Sequence, residues 1–102
     1  MKLVWTSSAL LDLDAIRTYI ARDSTLYASR FLGRLVRAVE ILEKYPELGP
    51  VVPELSSKSI RQLLYHNYRI LYHVGVDRVS ILTVVHAGRE LSLLEPKPWE
   101  VS

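Results

Sequence analysis

Residues 68–74 (Tyr-Arg-Ile-Leu-Tyr-His-Val) and 79–86 (Val-Ser-Ile-Leu-Thr-Val-Val-His) are two apolar, β-rich runs around Gly75-Val76-Asp77-Arg78, and this juxtaposition limits the fold more than any other feature of the chain. Such runs around a Gly/Asp turn read as a β-hairpin. Centring the hairpin on its turn sets Arg69 opposite Val84 and Asn67 opposite His86. A preceding run, 59–64, folds back through Tyr65-His66-Asn67, setting Leu63 opposite Arg69 and Arg61 opposite Leu71. By the two-residue period of a strand, Arg61, Leu63, Arg69, Leu71, Leu82, Val84 and His86 are expected on one sheet face. Leu64, Ile70, Tyr72, Val74, Val79, Ile81 and Val85 are expected on the other, as the core.

Upstream, the pattern changes from period two to the helical period. Residues 2–5 read as a first strand, and Thr6-Ser7-Ser8 supplies a cap for a helix over 9–22. Leu10, Leu13, Ile16 and Ile20 form its apolar stripe. Asp23-Ser24 breaks the chain, and a second helix is expected over 25–44, with Ala28, Phe31, Leu32, Leu35, Val39 and Leu42 inward, ending before Pro46. The short link implies an antiparallel helical hairpin. Residues 47–58, with Gly49, Pro50 and Pro53, read as a loop. The order is β-α-α-β-β-β: an α+β fold with a helical hairpin packed on a small antiparallel sheet.

At 102 residues the chain is expected to be one domain, residues 1–102. A 49% hydrophobic and 24% charged composition fits a globular protein. The absence of cysteine excludes thiolate chemistry and Cys-ligated zinc. No signal-peptide core and no run of about 20 apolar residues is visible, so a cytoplasmic location is expected. His66, His73 and His86 are not spaced as a ligand set, and neither metal nor cofactor is expected. A formal net charge of +2 is too small to mark a dedicated nucleic-acid binder.

The chain resembles the ParE/RelE superfamily of toxins from bacterial toxin–antitoxin modules. The resemblance rests on Val4-Trp5-Thr6 with Ala9 and Asp12, Ile16, Tyr19-Ile20-Ala21, Ala28 with Phe31, and Pro46 with Gly49. It continues through Arg61-Gln62-Leu63, Tyr68-Arg69-Ile70-Leu71-Tyr72, and His86 with Arg89. It implies two candidate activities. RelE-like members cleave mRNA in the ribosome; ParE-like members inhibit DNA gyrase. Arg69 and Arg89 match the two family arginines, but Ile60 and Gln62 stand where the nucleases carry lysines, and Leu94-Glu95 where they carry a late tyrosine. The pattern is therefore closer to ParE. Arg61, Arg69, His86 and Arg89 are the expected target-binding set; on the nuclease reading, His86 acts as base with Arg69 and Arg89 on the phosphate.

Each residue also has a structural reading. Arg61 and Arg69 either face the target or are solvated or paired with Glu90 or Glu95. His86 is either functional or simply hydrogen-bonded. The stripe of Arg30, Arg34, Arg37 and Lys44 reads as a solvated helix face, with contact to an acidic partner as the alternative. Leu63, Leu71, Leu82 and Val84, apolar on the arginine-bearing face, are the expected antitoxin-binding residues, since a bare sheet face should be polar. The proline-rich tail is expected to be extended, with Trp99 either docked on the sheet or presented to a target.

Overall fold

The computed structural model describes residues 1–100. Four strands and two helices follow the expected order: β1 (Lys2–Trp5), α1 (Ser7–Ala21), α2 (Thr25–Val39), β2 (Ile60–Tyr65), β3 (Tyr68–Val74) and β4 (Arg78–His86). Thr6 caps α1 by accepting the Ala9 N–H, and Ser24 caps α2 by accepting that of Tyr27. The second helix tightens into a 3₁₀ turn at Glu40–Glu43 before Pro46, so the α-helix proper ends five residues short of expectation.

The sheet order is β1-β4-β3-β2. The hairpins are antiparallel, but β1 lies parallel to β4, pairing Lys2 to Trp5 with Arg78 to Ile81. The sheet is thus mixed. Residue patterning identifies strands but not the direction in which a chain-distant strand joins an edge. On the outer edge, Pro50 to Val52 pairs with β2: the Pro50 carbonyl accepts the Gln62 N–H, and the Val52 N–H donates to Ile60.

The helical hairpin covers one sheet face. Ile16, Phe31, Leu32, Leu35, Val39 and Leu42 meet Ile70, Tyr72, Val79, Ile81 and Val84 in the main core. All six inward residues predicted for the second helix are buried. On the first helix Leu10 is instead 53% exposed, and Ala9 takes the buried position beside it.

Two local irregularities redistribute the sheet residues. From Val74↔Val79 to Tyr72↔Ile81 the pairing is as expected, but a β-bulge at Leu82 moves it by one, giving Leu71↔Thr83, Arg69↔Val85 and Tyr68↔His86. The β2–β3 turn contains only His66-Asn67, with His66 at a left-handed φ of 53°, so Tyr65 pairs with Tyr68 and Leu63 with Ile70. Each slip of one residue exchanges faces. Leu63 and Val84 therefore pack toward the helices, while Val85 turns away and Leu64 is exposed.

The face away from the helices carries a second apolar cluster of Val52, Ile60, Leu71, Leu82, Val85 and Leu91, with Leu55, Leu94 and Trp99 against it. No helix of the hairpin covers it; loop 51–55 and the tail do. Leu91–Leu93 forms a single 3₁₀ turn, and of the end 95–102, expected to be extended, Pro98–Glu100 forms another, residues 101–102 lying outside the described residues.

Candidate functional site

Because β1 pairs only with the first half of β4, the second half has no strand on that side, opposite β3, and α1 runs along that edge. Polar groups of α1 and its cap take over the strand's role. The Thr6 hydroxyl donates to the Ile81 carbonyl at 2.7 Å, and Asp12 Oδ2 accepts the Val84 N–H at 2.9 Å together with the Thr83 hydroxyl. Beside this seam lies a cleft of about 750 Å³ between α1 and the tail, lined by Tyr19, Asn67, Tyr68, His86 and Arg89, among others.

In this cleft the His86 ring meets Tyr68 edge-on, with centroids 5.9 Å apart. His86 Nδ1 accepts the Gly88 N–H at 3.2 Å, so in the neutral ring the proton sits on Nε2. A base acting through Nδ1 would first have to release Gly88. Burial pushes the Tyr68 phenol above its usual pKa, with a further contribution from Tyr19, which keeps it a proton donor at neutral pH. Arg89 is exposed. Asp12 and Glu95 also line the cleft, opposing an incoming phosphate.

The expected cationic set does not assemble in one place. Arg69 follows Tyr68, the partner of His86, and so projects from the opposite sheet face. There it is 8% exposed and fully engaged: Nη1 and Nη2 donate to the two Glu54 carboxylate oxygens at 2.7 and 2.9 Å, and Nε donates to Gln62 at 2.7 Å. This bidentate pair holds the Glu54 carboxyl below its ordinary pKa, chiefly through the hydrogen bonds. The partner is thus neither Glu90 nor Glu95. Arg61 lies on the helix-side face opposite Tyr72, where Nη1 donates to the Gly49 carbonyl at 2.7 Å and more weakly to that of Glu47. Only His86 and Arg89 of the four share the cleft.

The apolar residues expected at an antitoxin face are likewise divided. Leu71 and Leu82 do lie away from the helices but are covered by the chain's own loop and tail, whereas Leu63 and Val84 belong to the helix-side core. Trp99 docks in the second cluster, half-buried. Glu54 and Asp12 are the organising carboxylates that sequence reasoning left without a role. Asp12 stands three residues after Ala9 and four before Ile16, both buried, a spacing that marks it as inward-facing; nothing local marks Glu54, whose partner is 15 residues away.

The model of the ParE toxin of the type II parDE toxin–antitoxin system matches residues 3–91. The chain belongs to the ParE toxin family. It is 40% identical over 89 residues to the toxin RelE2 of Caulobacter vibrioides, an alignment covering 86% of this chain and 97% of that protein. Among solved structures, this ParE-family chain superposes on the chromosomal ParDE toxin–antitoxin system of P. aeruginosa with a TM-score of 0.72 at 25% identity, covering 84% of this chain and 95% of the other. The toxin–antitoxin complex RelBE2 of Mycobacterium tuberculosis gives a TM-score of 0.62 at 22% identity, covering 83% and 95%, and shares the fold. The chain is accordingly a toxin of the ParE/RelE superfamily. Among the described residues no helix is long and apolar enough to cross a membrane.

Proposed function

We propose that this ParE-family toxin arrests growth by binding DNA gyrase, without hydrolytic chemistry of its own, and that a cognate antitoxin neutralises it. The observation that carries this reading is the engagement of Arg69. Cleaving RNA through its 2′-hydroxyl requires a base, an acid and converging cations for the charged phosphorane. With Arg69 locked to Glu54 and Gln62 on the opposite face and Arg61 bound to backbone carbonyls, the cleft keeps only Arg89 of the expected arginines, and Asp12 and Glu95 also line it. An exposed arginine beside tyrosine and histidine rings is well suited to protein recognition.

The ribosome-dependent mRNA endonuclease is the second reading, supported by the convergence of His86, Tyr68 and Arg89 in one cleft. In that case His86→Ala abolishes toxicity.

The test is induction in growing bacteria without antitoxin, with pulse labelling of DNA and protein over the first minutes. Early loss of DNA synthesis with an SOS response supports gyrase; immediate loss of protein synthesis with cleaved mRNA supports the nuclease. Unimpaired growth overturns both and leaves an antitoxin-binding remnant. Growth rescue by the small protein encoded beside the toxin identifies the antitoxin.

A further inference from the structure

Helix α2 concentrates the positive charge of the chain. The net charge is +2, yet Thr25–Val39 holds three arginines and no carboxylate, so the remaining residues together are net negative by one. With 3.6 residues per turn, Ala28, Leu32, Leu35 and Val39 form the buried side of this helix, and Arg30, Arg34 and Arg37 fall on the side away from it. All three arginines are exposed, and among the described residues none of them forms an ion pair.

A helix face that only meets water ordinarily mixes charges of both signs. Here Arg30 and Arg34 stand four residues apart and Arg34 and Arg37 three apart, spacings at which like charges repel. The one other residue of the face between Arg30 and Arg37 is Gly33, and glycine is the poorest helix former after proline. Packing does not demand it: beyond the helix's own backbone, a Cβ there would meet only Arg37 Nη2, 3.8 Å away. Arg37 instead lies back over the bare glycine, one turn toward Arg34 and Arg30. Helix stability is thus lost in two ways along one face, and the result is a convex strip of guanidinium donors.

The spacing of the strip identifies its ligand. Arg30 and Arg37 lie about 10 Å apart along the helix axis at about 1.5 Å per residue. One strand of a DNA duplex presents a phosphate about every 3.4 Å of its axis, so the strip covers about three of them. Guanidinium forks also match phosphate oxygens bidentately. Other ligands fit less well. Tyr27 leans on Phe31, with ring centroids 6.1 Å apart, and gives unpaired bases no platform for stacking. Phe31, Leu32 and Leu35 are buried, which leaves the strip without the apolar centre of a protein interface.

We infer that this face of α2 lies along the phosphate backbone of duplex DNA, in a sequence-independent contact separate from the cleft. The inference rests on the gyrase reading above for its setting, with the cleft meeting the enzyme and α2 meeting the DNA that the enzyme holds. The contact itself belongs to the toxin alone.

The test is a titration of a labelled DNA duplex with the purified toxin, followed by fluorescence anisotropy. Three neutralised phosphates give a slope of about −2.7 for log affinity against log salt, an affinity loss of about 40-fold between about 50 and 200 mM. Each single Arg→Gln change at 30, 34 or 37 should make the slope shallower by about 0.9. The three together should abolish binding while the melting temperature holds or rises, because the repulsion is gone and glutamine is a good helix former. Gly33→Glu keeps every arginine and strengthens the helix, yet should reduce the slope to about −1.8 by placing a carboxylate among the donors. Gly33→Ala should leave DNA binding unchanged. Duplex affinity that survives in the folded triple variant or in Gly33→Glu overturns the inference, as does single-stranded RNA bound more tightly than the duplex. A supercoiling assay separates this contact from the gyrase reading. Wild-type toxin that binds DNA through α2 but leaves gyrase active keeps the contact and rejects the reading; equal inhibition of gyrase by wild type and triple variant keeps the reading and overturns the inference.

Discussion

The contact between Arg69 and Glu54 shows how one side chain can change the meaning of a motif. An arginine in a strand of a basic protein reads as a binding residue, yet here it anchors loop 51–55 to the sheet. Removing its partner leaves a buried guanidinium with Gln62 alone. Because the Glu54 side chain is 43% exposed, the cost is below that of a fully buried pair. Glu54→Gln should destabilise the chain by about 1–2 kcal/mol at pH 7, read by urea unfolding. The folded-state carboxyl lies below its ordinary pKa of 4.5, so the pair contributes fully above that value and its contribution is lost as pH falls through the lowered one. The difference between wild type and Glu54→Gln should therefore shrink below about pH 4; a constant difference down to pH 3 would remove the ion pair as its source. None of this was legible in the sequence, because a loop carboxylate carries no periodic signal. The core residues of the second helix were legible, since each repeats at a spacing that only a helix aligns.

At the level of elements, type and order are readable, but faces only for β3 and the first half of β4. Runs of apolar residues identify strands, but a single bulge at Leu82 and a two-residue turn at His66-Asn67 moved half of β4 and all of β2 relative to simple alternation. Neither device has a strong residue signature: the turn is closed by histidine, without glycine. The loop before β2 was recognised by its glycine and prolines, yet its task was hidden. Gly49 donates its N–H to the buried Tyr72 hydroxyl at 2.9 Å and lies flat against β2. A Cβ there would stand 2.1 Å from the Gln62 carbonyl oxygen and 2.9 Å from the Tyr72 hydroxyl. Backbone cannot yield as a flexible side chain would, so Gly49→Ala should cost about 3 kcal/mol, near the upper range for overpacking, and should release residues 50–52 from the edge of β2. Hydrogen exchange checks this directly: the Val52 and Gln62 amides should lose protection before those of β3.

For the whole molecule, one thin sheet carries a core on each face and a cleft at its end. Its helix side is the main core, its opposite side a second core closed by loop and tail, and its end the cleft with His86 and Arg89. The two family arginines, one strand apart in sequence terms, fall into different compartments, so their replacement should fail in different ways. Arg69→Ala leaves Glu54 without its partner and loosens loop 51–55; growth inhibition and antitoxin binding should fall together, in proportion to the loss of folded protein on heating. Arg89→Ala removes an exposed cation that no described carboxylate pairs. The melting temperature should then stay within about 2 °C of wild type, since surface substitutions away from structural contacts change stability by less than about 0.5 kcal/mol. Inhibition should drop severalfold while antitoxin affinity is retained. Equal loss of inhibition and antitoxin binding in Arg89→Ala would mean that target and antitoxin share the cleft, and unchanged inhibition would move the target contact to another surface, with the arginine stripe on α2 next to be replaced.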